Sequence, residues 1–151
     1  MNKMFDLSGK TAVITGGTGV LGSAMAEGLA EAGTNTVVIG RRKEAGDVVV
    51  SSIREKGHKA LFVQADVLDE KDLLNAKETI LKEFGSIDIL VNAAGGNLPG
   101  AVIMPEQNFF DLKMEEFQKV VDLNLKGTVL PTKVFCDVMA KRKKGVIINI
   151  A

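Results

Sequence analysis

The 151-residue sequence contains no tryptophan, no tyrosine, one cysteine and three prolines. A single thiol, Cys136, cannot close an intramolecular disulfide, so a disulfide-stapled scaffold is excluded and a reducing cytoplasm is the expected setting. Its neighbours Val134, Phe135 and Val138 read as a packed helical face, which makes a packed, unreactive sulfur the expectation. Net charge is missing too: 19 Lys+Arg balance 19 Asp+Glu, which removes any global pull toward nucleic acid or an anionic membrane. No window approaches about 18 uninterrupted apolar residues, and Met1 to Gly9 holds no basic segment followed by an apolar run. Neither a membrane span nor a secretory leader is therefore expected. His58, in Lys56-Gly57-His58-Lys59, has no partner motif for metal or nucleophilic chemistry, so it reads as a solvated turn histidine and no metal site is expected.

What is present fits one globular domain, 46% hydrophobic and 25% charged. Short β-branched runs alternate with longer helical stretches. Strands are expected at 10–15, 35–40, 60–64, 87–92 and 145–150, each apolar on both faces as buried parallel strands must be. Helices are expected at 20–32, 43–56 and 70–84, the last capped by Asp69, with Gly33, Gly57 and Gly85 at the three carboxyl ends. A long helix over about 113–141 carries Gly127 and Pro131 as expected bend points. Right-handed crossovers then give an α/β doubly wound parallel sheet of order 3-2-1-4-5. The last strand, Val146 to Ile150, is an apolar edge with nothing to cover it, so residues 1–151 are expected to be the amino-terminal portion of a longer domain.

The polar and glycine-rich residues collect at the carboxyl ends of these strands, where open α/β sheets bind ligands. Thr15-Gly16-Gly17-Thr18-Gly19-Val20-Leu21-Gly22 joins the first strand to the first helix, and Gly17-x-Gly19-x-x-Gly22 has dinucleotide-fingerprint spacing. Missing side chains permit a tight turn and close approach of backbone to a pyrophosphate, which the helix amino end then faces. After the second strand stand Arg41-Arg42-Lys43 in place of the acid that clamps an adenosine ribose. Cations at a helix amino end oppose its dipole, and a 2′-phosphate supplies a reason for them, so NADP is favoured over NAD. The alternative is a solvated basic turn with NAD bound without an acidic clamp. Asp66 follows the third strand and Asn92-Ala93-Ala94-Gly95-Gly96 the fourth. Asn124 lies in an apolar helical context where asparagine is a poor helix former, so its role is positional: to distort the helix or hold a water in a proton path. It is equally readable as an ordinary surface residue. The basic run Lys141 to Lys144 closes the long helix and complements its dipole.

Together these pieces resemble the short-chain dehydrogenase/reductase family: the Thr15-to-Gly22 loop, Asp66-Val67, Asn92-Ala93-Ala94-Gly95, Asn124 in Leu123-Asn124-Leu125-x-Gly127, and Gly145 to Ile150. The resemblance implies a Rossmann-like fold, an adenine contact from Asp66, a segment Asn92 to Gly95 that steadies cofactor and central sheet, and Asn124 as one member of an Asn-Ser-Tyr-Lys catalytic set. Val20 departs from the family's commonest glycine loop, and the observed spacing also occurs in the epimerase and dehydratase branch. More narrowly, Asn92-Ala93-Ala94-Gly95-Gly96-Asn97-x-Pro99-Gly100 with Phe109-Phe110-Asp111-Leu112 is similar to the D-mannonate oxidoreductase (fructuronate reductase) subgroup. That implies hydride exchange between NADP or NAD and a sugar-acid keto group such as D-fructuronate/D-mannonate, in a homo-oligomer, a tetramer by family likeness.

Two other readings stay open: a non-catalytic NADP(H)-sensing module, and a nucleotide-sugar epimerase or dehydratase. The family's catalytic serine, tyrosine and lysine follow the fifth strand, and no tyrosine occurs here. Protonation of a developing alkoxide needs an acid. Activity is thus expected of a full-length parent, and purified residues 1–151 are expected to give no NAD(P)H oxidation with a keto sugar acid; steady turnover would contradict this.

Overall fold

A computed structural model describes residues 5–150. Five parallel strands, β1 (Thr11–Thr15), β2 (Asn35–Gly40), β3 (Ala60–Gln64), β4 (Ile89–Asn92) and β5 (Val146–Asn149), lie in the order β3-β2-β1-β4-β5. This is the doubly wound order expected from alternating strands and helices. Register runs Val13 beside Val37 on one side and Leu90 on the other, so β1 is the central strand and is buried throughout.

Side chains alternate across a strand, and the alternation divides the core into two layers. Val13, Val37, Ile39 and Leu90 point toward α3 (Glu70–Phe84) and α5 (Gly127–Arg142), where Leu73, Ile80 and Phe135 meet them. Ala12, Ile14, Val38 and Val91 point the other way, toward α1 (Val20–Glu31) and α2 (Lys43–Glu55), against Ala26, Ala30, Val50 and Ile53. Helix α3 has its expected bounds: Asp69 accepts from the N–H groups of Lys71 and Asp72, and Gly85 ends it in the left-handed conformation. The strand at β5 is the exposed member, with Val146 54% and Ile147 and Ile148 each 44% accessible.

The expected single helix over 113–141 is divided. Helix α4 (Met114–Val121) passes into a π-helical segment, Asp122–Lys126, and then into α5. The irregularity thus precedes Gly127, and Pro131 is buried inside α5. A π turn disturbs the regular ladder, and side chains bond main-chain carbonyls in and beside it. Asn124 Nδ2 donates to Val120 O at 2.8 Å, Thr128 Oγ1 to Asn124 O at 2.9 Å and Thr132 Oγ1 to Thr128 O at 2.8 Å.

At the opposite end of the sheet from the glycine loop, Asp88 joins three elements. Its carboxylate accepts from Thr11 N at 3.0 Å, Ser86 Oγ at 2.8 Å and Arg142 Nη1 at 3.1 Å. Arg142, in the last turn of α5, also donates to Ile87 O, so the basic run fastens the helix to the sheet as well as facing its dipole. Burial pushes the Asp88 carboxyl up, but the bonds from Thr11, Ser86 and Arg142 outweigh it and hold the carboxyl below its ordinary value. A depressed native value contributes stability above the unfolded value, and that contribution fades as pH falls through the native one. Asp88→Asn should lower unfolding free energy by about 2–3 kcal/mol at neutral pH. Urea titrations should show the gap to wild type shrinking below about pH 4; a gap independent of pH would contradict the role of the charge.

Candidate dinucleotide site

The candidate site is a cleft of about 520 Å³ at the carboxyl rim of the sheet, lined by Gly16, Thr18, Gly19, Gly40, Arg41, Arg42, Ala65, Asp66, Val67, Ala93, Ala94, Gly95 and Leu123. Four strand ends supply it, because β1 through β4 all stop at this rim and turn into helices or loops.

Bare backbone forms its floor. Gly16 has φ 65°, a left-handed conformation that favours glycine, and a Cβ there would lie 2.7 Å from Ala93 O and from Ala94 N. Gly22 is tighter, since its Cβ would stand 2.2 Å from Gly16 O. The first turn of α1 is thereby drawn onto the glycine loop, which is drawn onto the β4 loop. Thr15 Oγ1 completes the joint by accepting from Ala93 N at 3.2 Å and Ala94 N at 3.3 Å. Helix α1 then has Gly19 as its N-cap, with no side-chain cap and no acid in its first turn. Its N–H groups are left to whatever occupies the cleft, and they favour an anion.

Charge on the wall comes from three side chains. Arg41 and Arg42 are exposed, and among the described residues neither guanidinium forms an ion pair or a hydrogen bond to another protein group. Lys43 differs: it pairs with Asp47 one turn along α2 and is absent from the wall. Arg42 is the N-cap of α2 and offers no side-chain cap, so both arginines add to the positive end of that helix. Asp66 is half-buried; its Oδ1 accepts from Leu68 N at 2.9 Å while its own N–H donates to Asp72 Oδ2 at 3.1 Å. That turn fixes the carboxylate at the cleft edge.

Not every expected site residue is on the wall. Gly17 and Gly22 pack against Val38 and Gly16 off the wall, and Val20 and Leu21 are exposed at the start of α1 without lining the cleft. Asn92 is 1% exposed and points away from the cleft, donating from Nδ2 to Thr132 Oγ1 and Asn149 Oδ1, both at 2.9 Å. It ties β4 to β5 and α5. Asn124 lies one residue beyond Leu123 and grips the β4 loop: Oδ1 accepts from Gly96 N at 3.2 Å and Nδ2 donates to Gly96 O at 2.8 Å. Its amide therefore positions the loop next to Gly95 on the wall. Three wall residues escaped sequence reasoning. Gly40 and Ala65 are small residues at strand ends, and Leu123, named in the sequence only as the neighbour of Asn124 in its motif, lies in the π segment.

Cys136 is half-buried, and burial followed by the nearby Asp137 carboxylate pushes its thiol up, which leaves it a poor nucleophile. Among the described residues no group of three or more His, Cys, Asp and Glu is gathered to hold a metal, and no helix is long and apolar enough to cross a membrane.

The chain as a whole is similar to known proteins. A family model described as short chain dehydrogenase matches residues 10–151. The uncharacterized oxidoreductase UxuB of Bacillus subtilis (strain 168) is 44% identical over 154 aligned residues, covering 97% of this chain and 55% of the relative. The chain thus spans about half the length of the curated relatives it matches. A candidate D-mannonate oxidoreductase from Haemophilus influenza, solved with bound NAD, superposes with TM-score 0.87 at 36% identity over 97% of this chain and 56% of that one. A metagenomic short-chain oxidoreductase in complex with NADP gives TM-score 0.82 at 30% identity, over 96% and 63%.

The tight contact at Gly22 is testable against Gly28, which lies in the same helix with open space beside it. Gly22→Ala should destabilise by about 1–3 kcal/mol and weaken dinucleotide binding, while Gly28→Ala should stabilise by about 0.5–1 kcal/mol and leave binding alone. Thermal melts with and without NADP+ check both; equal effects of the two substitutions would contradict the packing described.

Proposed function

Because the chain belongs to the short-chain dehydrogenase family, we propose that residues 1–151 act as one dinucleotide-binding domain of an oxidoreductase that prefers NADP(H) and acts on a sugar acid. The observation that carries the coenzyme reading is a cleft walled by bare backbone at one end and at the other by two arginines that have no ion-pair or hydrogen-bond partner for their guanidinium groups among the described residues. The residues fit the group: the amino end of α1 has no side-chain cap and no acid in its first turn, and the exposed Arg41 and Arg42 line the same cleft, a donor set suited to phosphates.

The bound coenzyme supplies or accepts the hydride. The amino end of α1 would hold the pyrophosphate through main-chain N–H groups and its dipole. Arg41 and Arg42 would meet the 2′-phosphate through charge-assisted bonds, at which a guanidinium is stronger than a neutral donor. Asp66 would accept from the adenine amine, with Val67 packed beside it. Ala93, Ala94 and Gly95 would lie flat against the ribose and ring, a surface that larger side chains would block. Asn124 would serve this site by holding Gly96, and its main-chain carbonyl is engaged by Thr128.

The acid that protonates the developing alkoxide is not a tyrosine of these residues, since there is none. We assign that step to the half of the relatives' length that this chain does not span. The sugar-acid substrate, D-fructuronate or D-mannonate, is supported by the narrower motif around Asn97, Pro99 and Gly100 and by the D-mannonate name carried by the Haemophilus neighbour. Self-association is part of the same reading. Met114, Phe117, Leu125 and Val129 present exposed apolar surface along α4, the π segment and α5, which suits a second copy of the chain.

Calorimetric titration of Arg41→Ala tests the arginine clamp. The preference for NADP+ over NAD+ should fall about 10- to 100-fold, the loss of one or two charge-assisted bonds. An unchanged preference would remove the basis for choosing NADP.

A further inference from the structure

The turn that carries Arg41 and Arg42 leaves the sheet at Gly40, whose partner in register is Gln64, the last residue of β3. Ala65 N donates to Gly40 O at 3.2 Å, and Gly46 N donates to Arg42 O at 3.1 Å in the first turn of α2. Between these two fixed points stands Arg41. Its carbonyl accepts from the side chain of Gln64, Nε2 to O at 2.9 Å. Gln64 is exposed and free to face water, yet its amide reaches across to the neighbouring turn. Ordering so long a side chain costs entropy, and what it gains is a third fixed point under the arginine pair.

We infer that Gln64 is a positioning residue for coenzyme discrimination: by holding the Arg41 carbonyl, it keeps Arg41 and Arg42 on the cleft wall, ready for a 2′-phosphate. The inference rests on the arginine reading given above. Gln64 is neutral and is not on the cleft wall, so it adds nothing of its own to the phosphate. Its effect is preorganisation. A loose turn must be ordered when the two guanidinium groups close on a phosphate, and that cost is subtracted from affinity. A coenzyme without the 2′-phosphate makes no such demand on the turn, so the two coenzymes respond differently when the bond is lost.

Titration calorimetry on the full chain with NADP+ and NAD+ separates the outcomes, using wild type, Arg41→Ala, Gln64→Leu and Gln64→Met. Both Gln64 variants keep an aliphatic stem and lose the donor. The ratio of NADP+ to NAD+ affinity should fall about three- to tenfold in each, the worth of one hydrogen bond, with melting temperature held within about 2 °C. An unchanged ratio beside a strong Arg41→Ala effect overturns the role of Gln64 and leaves the clamp standing. Equal weakening of both coenzymes also overturns it, because a merely structural residue would behave so. If Arg41→Ala itself leaves the ratio unchanged, the clamp fails and this inference fails with it.

Discussion

The rim of this sheet depends on main chain touching main chain at Gly16. Its backbone meets the β4 loop at Ala93 and Ala94 on one side and the first turn of α1, through Gly22, on the other. Were any of these contacts held apart by the width of a methyl group, the three loops would separate. The cleft would then lose its floor, and the amino end of α1 would no longer face it. The close packing that makes protein interiors intolerant of one extra carbon is used here at an edge, where it shapes a surface.

A second constraint ties the long helical arm to that rim. The π segment costs regular ladder bonds, and Asn124 offsets the loss twice, by satisfying Val120 O and by clasping both main-chain groups of Gly96. One residue that is poor in a regular helix is thus suited to an interrupted one. The interruption carries Leu123 to the cleft wall and holds Gly95 in place beside it. At the far end of the same arm, Arg142 and Asp88 anchor α5 to the start of β4. The arm is therefore fixed at both ends of the sheet, with Asn92 and Thr132 bonded between them.

Much of this was legible from residue pattern. The strand order followed from alternation and crossover handedness, and the bounds of α3 followed from Asp69 and Gly85 because their capping chemistry is local. The glycine loop was legible for the same reason, since its spacing encodes a steric demand. The π segment was legible in part: Asn124 was read as a residue that could distort the helix and Asp122–Lys126 is centred on it, whereas Gly127 and Pro131 drew attention to the turns that follow, and the partner Gly96 is distant in sequence. Asn92 was read within a segment that steadies both cofactor and central sheet, and its side chain serves the sheet. Its buried amide serves β5 and α5, and which face a strand-end residue uses is set by register, not by composition. Gln64 carried no motif at all, and its bond to Arg41 exists because β2 and β3 run in register to their last residues.

The central claim is that this rim of exposed backbone receives a nicotinamide dinucleotide, and amide-resolved NMR on an isotope-labelled sample titrated with NADP+ tests it most directly. The account predicts saturable binding with the largest shifts at Thr18 to Gly22, Arg41, Arg42, Asp66 and Ala93 to Gly95. Absence of saturable shifts, or shifts centred on the opposite end of the sheet around Asp88 and Arg142, would contradict it.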